Sequence, residues 1–328
     1  MPQNPVISPE KKLELDAFLA PKHPGSICVA NYKGGVGKTT VVCLLGYYLA
    51  QQTEKGVLLF DIDAQCSLSL AVGFDPDEVS KTELTIYNLV KPTKWTKIHK
   101  TNFSNYVVKV PDTLSPKGLF IIRGSFEVEN LDIEIAKSLA SGGKRRLDEL
   151  CLYCKQMLNA FDEYDYLIVD CPPNKMFLTQ AMLRACSFYL PVTIPDAISI
   201  YGMPRLLRWV KQIPEGDRPK LLGYVLNAIN RTGGAPGGKV YSQQSAEARL
   251  ERSIKGDLDK VEGEVIGSDP LVGVIPRLDA IARFLGEQTK FSRFDFSRRT
   301  SGQPTIEECL LDITNEILKR IGDYRAKT

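Results

Sequence analysis

Short apolar runs alternate along this chain with longer stretches of helical periodicity, and the alternation predicts an architecture before any motif is considered. Ile27-Cys28-Val29-Ala30, Val57-Leu58-Leu59-Phe60, Tyr166-Leu167-Ile168-Val169, Ser187 to Pro195, Leu221 to Asn227 and Val272 to Ile275 are apolar without a polar face. Strands of that kind are buried on both sides, as in parallel sheets covered by helices. Val41 to Ala50, Arg145 to Phe161 and Thr305 to Ile321 carry the helical period between and after them. The expected fold is therefore α/β, one doubly wound and mostly parallel sheet.

Residues 1–25 are rich in proline around a short helical pattern, Lys11 to Leu19, and read as an N-terminal extension. Residues 26–328 then form a single domain. The stretch between the second and third strands is longer than one helix and its loops need, so an insertion is expected around 75–118. Its part from Lys91 to Val110 interleaves Lys91, Lys94, Lys97, Lys100 and Lys109 with Trp95, Phe103 and Tyr106, which reads as a basic loop over a small aromatic core. The helix over 305–321 places Ile306, Leu310, Ile313, Ile317 and Ile321 on one stripe, with Glu307, Glu308, Asp312 and Glu316 among its polar positions. Acidic polar faces disfavour a membrane surface, so this helix is expected to pack on the sheet.

Composition narrows the class. The chain has 328 residues, 43% of them hydrophobic, which suffices for a large core. No apolar stretch reaches membrane-span length, and Met1-Pro2-Gln3-Asn4-Pro5 lacks the basic and apolar regions of a secretory signal, so a cytoplasmic protein is expected. Of eight cysteines, Cys28, Cys43, Cys171 and Cys186 fall inside apolar strand or helix patterns and read as buried thiols. Cys151 and Cys154 form a C-x-x-C inside a helical run with no second pair at metal-site spacing, so they too read as core. A net charge of +3 does not by itself imply nucleic acid.

The chemistry begins at Lys33-Gly34-Gly35-Val36-Gly37-Lys38-Thr39-Thr40, a glycine turn between the first strand and a helix. Gly34, Gly35 and Gly37 let successive N–H groups converge on phosphate oxygens, joined by the free donors and positive dipole end of the helix. Lys38 would meet the β and γ phosphates of ATP and the Thr39 hydroxyl would ligate Mg²⁺. The generic loop asks for glycine where this chain has Tyr32, and a second lysine, Lys33, stands at its front. The second strand ends in Asp61 and Asp63, and the third in Asp170 followed by Cys171-Pro172-Pro173. Carboxylates at the carboxyl ends of strands lie where an α/β sheet binds ligands, and Asp170 fits the acid that holds Mg²⁺ in phosphate-loop enzymes.

These residues resemble the deviant Walker A ATPases of the ParA/MinD family, most of all its ParA-type partition members. The resemblance spans residues 26 to about 320, with Ala64 replacing the proline of the D-x-D-P-Q pattern. It implies that Lys33 reaches across an ATP-sandwiched homodimer to the partner's phosphates. It implies that Asp63 orients or deprotonates the attacking water, while Asp61 holds the loop or the Mg²⁺ waters. Asp170, Pro172 and Pro173 become a switch that senses the γ phosphate. Val36 and Thr40 complete the ATP loop, and Asn227 and Pro276 contact the base. Arg205, Arg208, Lys211, Arg231, Arg277 and Arg283, the last two leading a basic series through Lys290, Arg293, Arg298 and Arg299, become candidates for holding DNA non-specifically. The implied activity is slow ATP hydrolysis, stimulated by a ParB-like centromere-binding protein or a cargo adaptor. The implied setting is a nucleoid-associated protein in plasmid or chromosome partition. Two other readings share the loop: a MinD-like ATPase recruited to membranes, and an iron-sulfur or synthetase-type enzyme.

Overall fold

The computed structural model describes residues 21–95, 101–111, 118–142, 145–196, 199–229, 252, 265–267, 269–276 and 305–327. Basic positions 97, 100, 231, 277, 283, 290, 293, 298 and 299, and the helical pattern at 11–19, lie outside the described residues.

The strands are β1 (Ser26–Ala30), β2 (Val57–Asp61), β3 (Val107–Lys109), β4 (Leu119–Ile122), β5 (Tyr166–Asp170), β6 (Phe188–Thr193), β7 (Lys220–Leu221), β8 (Tyr224–Ile229) and β9 (Leu271–Pro276). They form one sheet in the order β3-β4-β2-β5-β1-β6-β8-β9, with β7 also pairing β6. All pairs are parallel except β3 with β4. β1, β2, β5 and β6 are buried along their whole length, which is why their sequences show no alternation.

Helices cover both faces. The described ones are α1 (Lys38–Gln52), α2 (Ser67–Ala71), α3 (Pro76–Ser80), α4 (Ile86–Val90), α5 (Val128–Gly142), α6 (Arg145–Asn159), α7 (Phe177–Ala185), α8 (Ser199–Lys211) and α9 (Ile306–Arg325). Val42, Leu45 and Leu49 of α1 and Leu310, Ile313 and Ile317 of α9 share one core with Val29, Leu59 and Ile168 of the sheet. Leu131 of α5, Leu150 and Met157 of α6, Met182 of α7 and Leu206 of α8 share the other with Cys28, Phe60 and Val169. Thus α9 packs on the sheet as its stripe predicts. Thr305 starts it with a capping box, accepting from Glu308 N at 3.0 Å while Glu308 Oε2 accepts from Thr305 N at 2.7 Å.

Two features depart from the sequence reading. Leu221 to Asn227 is not one strand but two, β7 and β8, because Gly223 between them takes a left-handed φ of 101°. The segment between β2 and β5 adds strands of its own: β4 pairs β2, and β3 closes the edge antiparallel to it. Trp95 and Tyr106 are buried beside this edge, and the Trp95 indole donates to Val90 O at 2.7 Å.

At the amino ends of the strands, Lys155 and Asp217 pair in the interior at 2.5 Å, and Arg184 bridges Asp217 and Asp148. Lys22 adds hydrogen bonds to the carbonyls of Cys186 and Asp217, so the entering chain is tied to β6 and to the turn before β7.

Candidate functional site

The sheet order puts β1 at its centre, between β5 and β6, with Val29 level with Asp170 on one side and Leu190 on the other. The chain passes from β1 to β2 on one side and from β5 to β6 across it, so the loop after β1 stands at a switch point of the sheet. On the neighbouring strands Asp61 and Asp170 are directly level, which brings two carboxylates together beneath that loop.

The loop is held at both ends. Asn31 donates to Val192 O at 2.6 Å and accepts from Lys33 N at 3.1 Å, fixing the front of the loop to the end of β6. Gly35 and Gly37 have φ of 73° and 87°, a left-handed geometry that an L side chain adopts at a cost. A Cβ on Gly37 would also collide with the Asn227 amide, whose N–H donates to Val36 O at 2.9 Å. Asn227, read as a base contact, therefore also tethers the loop. Pro276 ends β9, level with Ile229 of β8.

A cavity of about 630 Å³ opens over this loop. Gly34, Gly35, Gly37, Lys38, Thr39 and Thr40 line it together with Asp63, Pro172 and Pro173. Of the residues read from the sequence as a nucleotide site, these meet at one place. Gln65, Ser67, Leu70, Glu129, Asn174 and Met176 complete the lining. Nothing in their spacing marks them, since they come from α2, α5 and the approach to α7 and converge only in the fold.

Two buried charges stand beside each other here, Lys38 in the cavity lining and Asp170 behind it at the end of β5. Lys38 is 7% exposed and its ammonium donates to Lys33 O at 3.3 Å. Burial lowers its pKa, while the neighbouring Asp170 pulls it back up. Asp170 is 1% exposed, and neither carboxylate oxygen has a hydrogen bond of ordinary geometry. Burial and then the Asp61 charge push its pKa up to about 8, against the pull of the Thr39 hydroxyl and Lys38. An orphaned buried carboxylate is costly unless a ligand completes it.

Asp61 differs. Its Oδ2 accepts from the amide and hydroxyl of Ser69 at 2.8 and 2.7 Å, and Ser69 Oγ also accepts from Gly124 N at 2.8 Å. These contacts tie Asp61 to the start of α2, and none of them reaches the phosphate loop. Burial pushes its pKa up to about 6 despite those bonds. Asp63 reaches the cavity, and its Oδ1 accepts from Gln65 N at 3.0 Å.

Among the described residues no group of three or more His, Cys, Asp or Glu gathers as an all-protein metal cage. Mg²⁺ does not need one, because it retains most of its water and takes one or two protein oxygens beside phosphate. The unpartnered Asp170 carboxylate next to Thr39 fits that requirement.

Lys33, at the front of the loop, is ion-paired with Asp196 beyond β6. Arg205, Arg208 and Lys211 are exposed on α8, away from the loop cavity. Their helix begins at Ser199, earlier than the sequence suggests, and carries Pro204 inside it. Cys151 and Cys154 are fully buried on α6. No described helix is long and apolar enough to cross a membrane.

Comparison with known proteins adds four similarities. Residues 25–222 match the model of the family AAA_31, an AAA domain. A ParA family protein of Chlamydia muridarum is 28% identical over 211 residues, 63% of this chain and 73% of that protein. Among solved structures, Cyanothece McdA in an ATP complex shares the fold at TM-score 0.64 and 18% identity, over 92% of this chain and 98% of that one. Pyrococcus furiosus cell division ATPase MinD does so at TM-score 0.58 and 20% identity, over 90% of this chain and 99% of that one.

Proposed function

We propose that this chain, which belongs to the AAA_31 family of AAA domains and to the ParA/MinD-type P-loop ATPases, hydrolyses ATP to ADP and phosphate as a switch for self-association and DNA binding. The observation that carries the reading is the buried carboxylate of Asp170 beside Lys38 and Thr39, without a hydrogen bond of ordinary geometry, next to a glycine loop that walls a cavity. That combination suits a metal-bound polyphosphate: cation, backbone donors and an acid awaiting a partner.

In this reading Lys38 pairs with the β and γ phosphates, and the N–H groups of residues 34 to 40 receive their oxygens. Thr39 and Asp170 would hold Mg²⁺, which would supply charge neutralisation at the phosphates. Asp63 orients the attacking water from the cavity lining. Asp61 keeps the Asp63 segment in place through Ser69. Pro172 and Pro173, directly after Asp170, transmit the presence of the γ phosphate to the segment before α7. Lys33 leaves Asp196 and joins the phosphates of a second copy, so that ATP and not ADP favours the dimer.

We assign the dimer a non-specific grip on DNA through Lys211 together with Arg231, Arg277 and Arg283. Arg205 and Arg208, read with them from the sequence, line a separate cavity. Hydrolysis, slow until a partner protein completes the site, releases the DNA. The process is partition of a plasmid or chromosome, or positioning of another cargo; the partner is ParB-like or a cargo adaptor. Within the chain, residues 1–25 act as an extension and 26–328 as one domain.

The test is retention of the purified protein on DNA with ATP, with ADP and without nucleotide, at 50 and 200 mM salt. Contacts to six to ten phosphates would make ATP-dependent affinity fall by about 10³ to 10⁵ between these salts. Equal retention in all three nucleotide states would overturn the switch.

A further inference from the structure

A second cavity, of about 560 Å³, lies on the other side of the loop's front residues, walled by Tyr32, Lys175, Arg205, Arg208, Trp209 and Gln212. Its chemistry is unlike that of the nucleotide cavity: two aromatic rings, three cations, an amide and, among the described residues, no carboxylate. The Tyr32 and Trp209 rings lie 5.5 Å apart, tilted by 41°. The Lys175 ammonium stands over both, 5.1 Å from the first ring centre and 5.2 Å from the second. Arg208 is oriented by donation from Nε to Pro204 O at 3.2 Å, which leaves its terminal N–H groups to the cavity. Among the described residues none of Lys175, Arg205 and Arg208 is paired with a carboxylate.

We propose that this cavity receives an acidic segment of a partner protein, whose carboxylates meet Lys175, Arg205 and Arg208 beside the Tyr32 and Trp209 rings. Three cations with no acid among the described lining residues favour an anion, since like charges gathered around one cavity repel and a counter-charge relieves them. The aromatic part selects the kind of anion. Trp, Tyr and Arg lining a recess are the residue types that dominate binding energy between proteins. A nucleic-acid strand that stacked its bases here would need open ring faces, and Lys175 occupies them. Guanidinium groups take carboxylates with two parallel hydrogen bonds, so Arg205 and Arg208 suit a segment with closely spaced acids.

The position of the cavity gives its occupant leverage. Tyr32 immediately precedes Lys33, and Lys175 follows the Pro172-Pro173-Asn174 segment. α8 packs closely on the same front residues, since a Cβ on Gly202 would stand 3.3 Å from Asn31 Oδ1 and 4.0 Å from Lys33 Cβ. A bound segment therefore bears on both the front of the phosphate loop and the stretch that follows Asp170, and so raises ATP turnover. This regulatory half rests on the ATPase reading; the binding half does not.

The chain contains two tryptophans, so a Trp95→Phe protein reports from Trp209 alone. Titrating this protein with a random glutamate–tyrosine copolymer should shift or quench Trp209 emission saturably. Adding Lys175→Gln and Arg208→Gln should weaken that response by at least about tenfold, leaving DNA retention unchanged. Because Trp95 is buried, anisotropy of fluorescein-labelled copolymer on the otherwise unaltered protein, with and without the Lys175→Gln and Arg208→Gln changes, gives the same answer if the Trp95 variant misfolds. No Trp209 response and no anisotropy change would overturn the proposal. So would loss of duplex-DNA retention in the double variant with copolymer binding intact, which assigns the cavity to nucleic acid. Copolymer-stimulated hydrolysis that vanishes in the double variant supports the regulatory half, and binding with unmoved turnover overturns it. If the protein hydrolyses no ATP yet Trp209 responds, the ATPase reading falls and the cavity assignment stands.

Discussion

The ammonium of Lys33 is ion-paired with the carboxylate of Asp196, so the lysine at the front of the loop is engaged within its own subunit. The pair is reinforced by the backbone: Asn31 holds Lys33 N and the end of β6 at once. If Lys33 serves a second copy's nucleotide, this bond must break first, and the closed subunit is favoured by whatever the bond contributes. Half-exposed ion pairs contribute about 0.2–1 kcal/mol, and the side-chain exposures here are 22% and 37%.

An Asp196→Asn protein should accordingly dimerise more readily, at ATP concentrations about two- to fivefold lower than the parent. Light scattering across an ATP titration reads this directly. A midpoint that stays put, or rises, would show that Asp196 does not restrain Lys33. Lys33→Ala is the companion measurement, and its mass should no longer double with ATP.

Asp63 reaches the cavity beside the phosphate loop, whereas Asp61 is occupied by Ser69. Replacing Asp63 by Ala should lower turnover by about 10²- to 10⁴-fold, the usual loss of a group that positions or deprotonates water. ATP binding should persist, so the dimer should remain on DNA instead of cycling. A phosphate-release assay beside a DNA-retention assay separates the two effects; normal turnover would remove Asp63 from the chemistry.

His23 makes stability depend on pH in a way that can be isolated. Its Nε2 lies 3.1 Å from Tyr164 O and its Nδ1 accepts from Gly25 N at 3.1 Å, so the buried ring is neutral with the proton on Nε2. Burial pushes its pKa down to about 4 from the usual 6.5. The unfolded chain then binds more protons than the folded one between those values, and stability falls as pH drops from about 6.5 toward 4, by up to about 3 kcal/mol. The raised pKa of Asp170 works in the opposite direction, so the total curve is not diagnostic. The diagnostic quantity is the difference between the parent and His23→Gln in urea unfolding at pH 7.5 and pH 5. The gap should narrow at pH 5; a constant gap would mean that His23 does not titrate there.

The strands around the site were legible because they are buried on both faces, and the phosphate loop because its glycines and lysines are contiguous. What escaped was assembled from afar. Ser69, which occupies Asp61, and Asp196, which occupies Lys33, lie on segments whose local pattern says nothing of either partner. The β3–β4 edge was missed because β3 is short and only half buried, without a strand's usual signature. Leu221 to Asn227 read as one strand because one glycine in an apolar run does not disclose its φ. Tyr32 was noticed only as a departure from the loop pattern; its place in a second cavity depends on α8, a helix more than a hundred residues away.

Asn227 offers the sharpest separation between two roles. Its amide donates to Val36 O under Gly37, inside the protein, so removing it frees a loop carbonyl and loosens the turn that presents the phosphate donors. A buried hydrogen bond lost in this way costs about 1–2 kcal/mol, or roughly five- to thirtyfold in binding. If that tether is what matters, Asn227→Ala should weaken ATP and GTP by similar factors, because the loop meets phosphates and not bases. If the side chain instead reads adenine, ATP should lose far more than GTP and the preference between them should collapse. Competitive titration of a fluorescent nucleotide with each triphosphate decides it. We expect the parallel loss, since the amide in this structure is already directed at the loop.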